Sequence, residues 1–272
     1  MQKPLISVLM PAYNNEKYIA EAIESILNQS FKDFEFIISD DASNDKTWDI
    51  IKKYKLKDNR IITKKNQKNL YIAENRNILI RLAKGKYIAW QDADDISIPD
   101  RLQKQYKFME KNPKIGIVGG YLEFFDDRRV TGIRKYAESD KELRKTIFRF
   151  SPIAQPTAMI RKKCFNELGL YNPQYPPAED IDMSFRIGSK YKFANIPQVT
   201  LKYRIHPLSA TYTKLRKIEL STITVRNKFK NSHHYHMSFP DLVYNILHLI
   251  SVFIVPSRLK IALFIFIRNT SK

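Results

Sequence analysis

Three acidic groups punctuate this chain of 272 residues: Asp40-Asp41, Asp92-Ala93-Asp94-Asp95 and Glu179-Asp180-Ile181-Asp182. Carboxylates packed side by side repel one another, so a cluster of them costs stability unless a cation sits among them. At Asp92, Asp94 and Asp95 the natural cation is hard and divalent, Mg²⁺ or Mn²⁺. Such an ion keeps part of its water shell and also binds substrate phosphates. It would neutralise charge as a diphosphate leaves. In the first group, Asp41 could accept from a nucleobase N–H or a ribose hydroxyl, whereas Ser43 and Asp45 suit the cap of the next helix. In the third, a carboxylate could serve as general base for an attacking hydroxyl. Charge at a helix N-terminus accounts as well for Glu179 and Asp182. Each group taken alone also reads as a solvated loop or helix cap, so their placement decides.

The elements between them supply that placement. Leu5 to Met10 is an apolar run stopped by Pro11, and it reads as a buried strand. Asn14-Asn15-Glu16 can cap a helix to about Leu27, with Ile19, Ile23, Ile26 and Leu27 on one face. Phe34–Ser39, Arg60–Thr63 and Tyr87–Trp90 read as further strands. Helices from Ser43 and from Ile72 to Ala83 lie between them. Four strands alternating with three helices predict a parallel sheet covered on both faces. Ligands bind such sheets at the carboxyl ends of their strands, where Pro11–Asn14, Asp40-Asp41 and Asp92–Asp95 fall. Beyond residue 100 the pattern is mixed. Helices are expected at Pro99–Lys111, Asp140–Phe150 and Glu179–Ser189, and strands at Ile115–Tyr121, Glu123–Ile133, Thr157–Ile160 and Val199–Ile205.

Six motifs in this order resemble family 2 glycosyltransferases over about residues 4 to 210. They are Pro11-Ala12-Tyr13-Asn14; Asp40 to Asp45; Arg76-Asn77 before Gly85-Lys86-Tyr87-Ile88; Asp92-Ala93-Asp94-Asp95 before Pro99; Glu179-Asp180 with Arg186; and Tyr203-Arg204-Ile205-His206 with Ser209. The resemblance implies an α/β GT-A fold, with a Rossmann-like, mostly parallel central sheet and flanking helices. It also implies an inverting transfer from a nucleoside diphosphate sugar, with a UDP-sugar favoured. By position, Pro11, Tyr13, Asn14, Asp41 and Arg76 would bind the nucleotide, and Asp92 would meet ribose or metal. Asp94 would be the main ligand of Mn²⁺ or Mg²⁺, with Asp95 and His206 able to share that role. Asp180 would be the catalytic base, and Glu179 and Arg204 would contact acceptor or diphosphate. Two departures touch this pattern: Tyr71 stands where the family often has glycine, and Gln155-Pro156-Thr157 replaces a frequent His-Pro-Ser or His-Pro-Thr.

The formal net charge of +19 calls for an anionic partner. From Leu201 to Lys272 there are 12 Lys or Arg against 2 Asp or Glu, and all five His lie there. This segment sets an expected boundary: a catalytic domain over 1–212 and a helical appendage over 213–272. In the appendage, Leu215–Lys230 is a basic helix candidate, and Leu242–Val255 and Leu259–Ile267 are apolar runs split by Pro256. Neither run reaches the roughly 20 apolar residues of a spanning helix. A helical hairpin in an anionic membrane interface fits; packing on the catalytic core or a dimer contact is the other reading. One cysteine, Cys164, excludes an internal disulfide or a Cys-based metal site. With no signal peptide ahead of the first strand, the expected location is cytoplasmic, peripheral on the inner face of the membrane. The expected acceptor is a glycan under construction, free or lipid-linked. A nucleotidyltransferase would want a Gly-rich basic loop after the first strand, which Pro11–Asn14 is not. A specific nucleic-acid binder would show Cys/His spacing or RNA-binding aromatics, which are absent.

Overall fold

The structure, a computed structural model, describes residues 3–126, 129–175 and 177–261. The first half runs β1 (Ile6–Ala12), α1 (Ile19–Leu27), β2 (Phe34–Asp40), α2 (Thr47–Lys57), β3 (Ile61–Lys65), α3 (Tyr71–Leu82) and β4 (Tyr87–Trp90). The second runs β5 (Ile96–Ser97), α4 (Arg101–Lys111), β6 (Ile115–Phe125), β7 (Val130–Arg134), α5 (Asp140–Thr146), β8 (Met159–Arg161), α6 (Lys162–Leu168), α7 (Glu179–Gly188), β9 (Lys192–Arg204), α8 (Ala210–Thr213), α9 (Leu215–Phe229) and α10 (Phe239–Ile254). The described strands form one sheet in the order β3-β2-β1-β4-β8-β6-β9-β5, with β7 paired to β6.

β1 to β4 are parallel, as the alternation of elements predicts. Their apolar runs are continuous because helices bury both faces. Ile6, Val8 and Met10 pack with Ile19, Ile23 and Ile51 on one side. Leu9 joins Leu79, Ile80 and Phe185 on the other. Burying each such side chain contributes roughly 1.5–3 kcal/mol. The chain enters β4 so close to β1 that a Cβ on Gly85 would lie 2.5 Å from the Ser7 nitrogen. Gly85 N–H donates to Ser7 Oγ (2.8 Å), and Ser7 Oγ donates to Glu35 Oε1 (2.6 Å). The order reverses between β1 and β4, and the crevice at that switch point is where such sheets bind ligands.

The second half departs from the sequence expectation in detail. β6 runs unbroken through Tyr121–Glu123 because β9 pairs with it in parallel from Ile115 to Phe125. The strand expected over 123–133 is instead the end of β6 and the antiparallel β7. Helix α1 starts at Ile19 rather than at Asn14, and no side chain caps it. Residues 14 to 16 bond the neighbouring loop instead. α6 was not legible as an element: at seven residues it is too short to show a helical period.

Helices α9 and α10 and the turn between them dock on the body. Tyr235 OH donates to the Phe185 carbonyl (3.0 Å), and Phe229 stacks on Phe185 at 4.7 Å. Lys228 pairs with the fully buried Asp182 of α7 at 2.9 Å. Asn245 of α10 donates to the Phe148 carbonyl (2.9 Å). The opposite face of α10 leaves Leu247, Ile250, Phe253 and Ile254 exposed. No described helix is long and apolar enough to cross a membrane. From residue 262 on, the second apolar run lies outside the described residues.

Candidate active site

The turn that carries Asp92, Asp94 and Asp95 is pinned from beneath. Gln91 Nε2 donates to the carbonyls of Asp92 (3.0 Å) and Asp95 (2.8 Å). Arg101, fully buried, donates to the Trp90 carbonyl (2.7 Å) and to Ser97 Oγ (2.9 Å). From this side the turn's backbone is therefore held by neutral and cationic side chains against the mutual repulsion of its carboxylates.

On the β1–β2 side, the loops are laced together. Asn14 N–H donates to Ser43 Oγ (2.9 Å), and Asn44 N–H donates to Asn14 Oδ1 (2.9 Å). Asp45 accepts from the N–H groups of Glu16 (3.0 Å) and Thr47 (2.9 Å), so it fastens a neighbouring loop as well as the start of α2. Asp41 is buried, and its Oδ1 accepts from Asn66 Nδ2 (2.8 Å) and Leu70 N–H (2.9 Å). Pro11 is buried in β1, paired with Ser39, while Tyr13 is exposed beside it.

Across the crevice, the buried Arg76 guanidinium links two of the acidic groups. It donates to Glu179 Oε1 at 2.6 Å and lies 3.7 Å from Asp92 Oδ1. The rings of Trp90 and Tyr171, packed edge to face, lie 5.2 Å and 5.8 Å from it. Arg76, expected to bind nucleotide, pairs with these carboxylates in this structure. Burial works against its charge, but Glu179 and Asp92 outweigh that and hold it firmly protonated. One cation cannot satisfy several anions. Burial pushes the Glu179 carboxyl up to about 7 against the pull of Arg76, with Asp180 and Asp92 adding to the shift. Asp92 is pushed up to about 6 by burial, opposed by Arg76 and reinforced by Asp94 and Asp180. Asp180 is also raised, chiefly by burial. It opens α7 and lines a cavity of ≈ 220 Å³ walled by Leu122, Phe124, Tyr203, Ile205 and Tyr212. Gln155, the departure from the family pattern, also lines this cavity and donates to Tyr171 OH (2.7 Å).

The end of β9 closes the turn from above. Arg204 N–H donates to Asp95 Oδ1 (2.9 Å), and Arg204 Nε donates to the Asp94 carbonyl (3.0 Å). The Arg204 side chain pairs through Nη2 with Glu21 (2.6 Å). His206 Nε2 lies 2.9 Å from Asp94 Oδ2. Asp95 Oδ2 and His206 Nδ1 are buried without a hydrogen-bond partner among the described residues. Burial raises the Asp95 carboxyl well above its ordinary value, with Asp94 and Asp92 adding to it. Among the described residues, no three His, Cys, Asp or Glu side chains form a group able to hold an ion. Asp94 Oδ2 and His206 Nε2 are neighbouring oxygen and nitrogen donors, of the kinds that a divalent cation accepts.

Sequence reading missed Gln91, Arg101, Asn66 and Tyr171. For Arg101 and Gln105 a signal existed: both fall on the stripe of α4 set by Leu102 and Met109, where a polar side chain must find buried partners.

Comparison with known proteins agrees with this geometry. The chain is 39% identical over 241 residues to an uncharacterised glycosyltransferase of Methanocaldococcus jannaschii, covering 86% of this chain and 83% of that one. It is 30% identical over 235 residues to WfaP of Escherichia coli, described as a UDP-Glc:α-D-GlcNAc-diphosphoundecaprenol β-1,3-glucosyltransferase, covering 85% of this chain and 89% of that one. The mannosyltransferase PcManGT of Pyrobaculum calidifontis, solved with GDP-Man and Mn²⁺, shares the GT-A fold at a TM-score of 0.68. It is 16% identical, covering 93% of this chain and 70% of that one. The profile described as glycosyl transferase family 2 matches residues 7–169. Laced loops after β1 and β2, an acidic turn at the switch point and a mostly apolar cavity that holds Asp180 thus stand on the scaffold of that family's fold, and the chain belongs to glycosyl transferase family 2.

Proposed function

We propose that the protein is an inverting, metal-dependent hexosyltransferase. It moves a sugar from a UDP-sugar to a hydroxyl of a glycan or lipid-linked glycan under construction. The observation that carries this reading is Arg76, whose one guanidinium spans Asp92 at the donor end and Glu179, next to Asp180, at the acceptor end. The name of the E. coli relative, with its UDP-Glc donor and diphosphoundecaprenol-linked acceptor, supports the choice of donor and the lipid-linked acceptor.

Asp41 has one oxygen engaged by Asn66 and Leu70, and its other oxygen receives a nucleobase N–H. Pro11, Tyr13 and Asn14 flank the base, and Asp92 faces ribose. Asp94 with His206 would hold Mn²⁺ or Mg²⁺, and the bound ion supplies charge neutralisation on the departing diphosphate. The acceptor hydroxyl enters the cavity beside Asp180. As its oxygen bonds to the anomeric carbon, the bond from that carbon to the phosphate oxygen breaks on the opposite face. Asp180 takes the hydroxyl proton and UDP leaves, which inverts the centre. A carboxyl with a raised pKa is the better acceptor for that proton.

The apolar, aromatic cavity walls suit a sugar face or the start of a lipid chain. The exposed face of α10, with Arg216 at 5.0 Å over the Phe253 ring, suits an anionic membrane surface on the cytoplasmic side. The appendage over 213–272 would then be the membrane-contacting part.

The deciding experiment is a thermal-shift screen of UDP, GDP, dTDP and CMP with and without Mn²⁺, followed by transfer assays with UDP-sugars. At a hundredfold excess over Kd, a ligand of the native state adds about 2.7 kcal/mol. UDP should stabilise the protein in a Mn²⁺-dependent way, and Asp94→Ala should abolish the dependence. Absence of any nucleotide shift would overturn the reading.

A further inference from the structure

Three described non-glycine residues hold a left-handed backbone: Asn14 (φ 52°), Ala42 (φ 61°) and Tyr71 (φ 63°). All three sit on loops or element starts around Asp41. Two have ready accounts. Asparagine tolerates this region, and Asn14 also clips the Ser43–Asn44 loop. Ala42 is small and follows Asp41 directly. Tyr71 has no such account. A bulky side chain at positive φ is a true outlier, and glycine would adopt the same angle freely. The fold recovers little from the ring, which is 68% exposed. It has no hydrogen bond and no aromatic or cation contact among the described residues; only the backbone N–H is held, by Asn69 Oδ1 (2.9 Å). A strained residue whose side chain buries little is retained by something outside the fold.

Its position indicates what that is. Leu70, the residue before it, donates its N–H to Asp41 Oδ1 (2.9 Å). Tyr13 follows Ala12, whose carbonyl accepts the Asp41 N–H (2.8 Å), and Tyr13 is 44% exposed. Two exposed phenol rings thus stand one residue away from backbone atoms that bind Asp41, one at its carboxylate and one at its own N–H. A planar base with an N–H edge matches this set: the edge meets Asp41 and the flat faces meet the rings. We infer that Tyr71 is a nucleobase-binding residue, stacking on the base of the donor nucleotide opposite Asp41. The inference rests on the nucleotide-sugar reading above, and binding of the donor explains why the strained backbone persists.

Calorimetric titration of wild type, Tyr71→Gly and Tyr71→Phe with UDP and with inorganic pyrophosphate, each with Mn²⁺, tests it. Loss of one stacked base contact corresponds to roughly a tenfold weaker Kd. Tyr71→Gly should weaken UDP about tenfold and leave pyrophosphate unchanged, while raising Tm by relieving the strain. Tyr71→Phe, which keeps the ring, should bind UDP like wild type. Unchanged UDP affinity in Tyr71→Gly overturns the inference, and so does an equal loss for UDP and pyrophosphate, which would mean a disturbed loop. If wild type itself binds no nucleoside diphosphate, the donor reading fails first.

Discussion

Between Ile6 and Trp90 the strands are parallel, and the loops after β1 and β2 are laced to each other by Asn14, Ser43, Asp45 and Thr47. Beyond Ile115 the sheet is mixed, and the carboxylates facing the crevice depend on one guanidinium. The described non-glycine residues with a left-handed backbone all lie in the first region. The β1–β2 side, the proposed donor side, is thus fixed by several backbone hydrogen bonds, each small. The α7 side, the proposed acceptor side, is held by few interactions, which are buried and charged. A diphosphate-bearing donor needs a preformed cradle, whereas a base that must collect a proton needs a carboxylate held short of full charge stabilisation.

The sharpest way to separate the two sides is Asp180→Asn. Loss of a general base should lower kcat by about 10³-fold, while UDP affinity by calorimetry stays within error. A parallel loss of nucleotide binding would show that Asp180 belongs to the donor side. Next is Arg76→Met, which leaves buried carboxylates without their cation. Breaking such a pair costs about 3–5 kcal/mol in denaturant unfolding. A cost under about 1 kcal/mol would show that water reaches Asp92 and Glu179 freely.

The pH dependence comes third. The folded-state pKa of Glu179 is raised from 4.5 to about 7, so the native protein holds this proton longer than the unfolded chain. Its contribution is fully present below about pH 4.5 and is lost as pH rises through 7. The apo protein should lose up to about 3 kcal/mol between pH 5 and 8 from this group. The difference between wild type and Glu179→Gln isolates it from His248, whose lowered pKa acts in the opposite direction. Mn²⁺ should reduce the loss at pH 8 through Asp92, whose raised pKa has the same sign. The smallest effect belongs to the donor side. Asn14→Ala removes one clip and should cost about 1 kcal/mol in urea unfolding, with kcat unchanged and UDP modestly weaker.

Much of the donor side was legible because its signals are local. The runs Leu5–Met10 and Phe34–Ser39 announce buried strands, and Asp41 and Asp92 follow within two residues of the ends of β2 and β4. The acceptor side was less legible. β6 and β9 pair along nearly their whole length although about 70 residues separate them, and nothing in either strand names the other. The appendage shows the same limit. The sequence allows a membrane-interface hairpin or packing on the core or a dimer contact; α10 packs on the core through Asn245 against Phe148, while Phe253 and Ile254 face outward.

The sequence by itself determined the parallel β/α unit and placed a carboxylate at the end of β2, after β4 and at the start of α7. Apolar runs, helical period and turn residues are properties of neighbours in the chain. Only the tertiary structure decided what each carboxylate meets. Arg76 and Glu179 are 103 residues apart, and Asp94 and His206 are 112 apart. Those pairings follow from strand order and from the burial that shifts the acids. Both are set by how the sheet closes on itself and not by any local stretch of sequence.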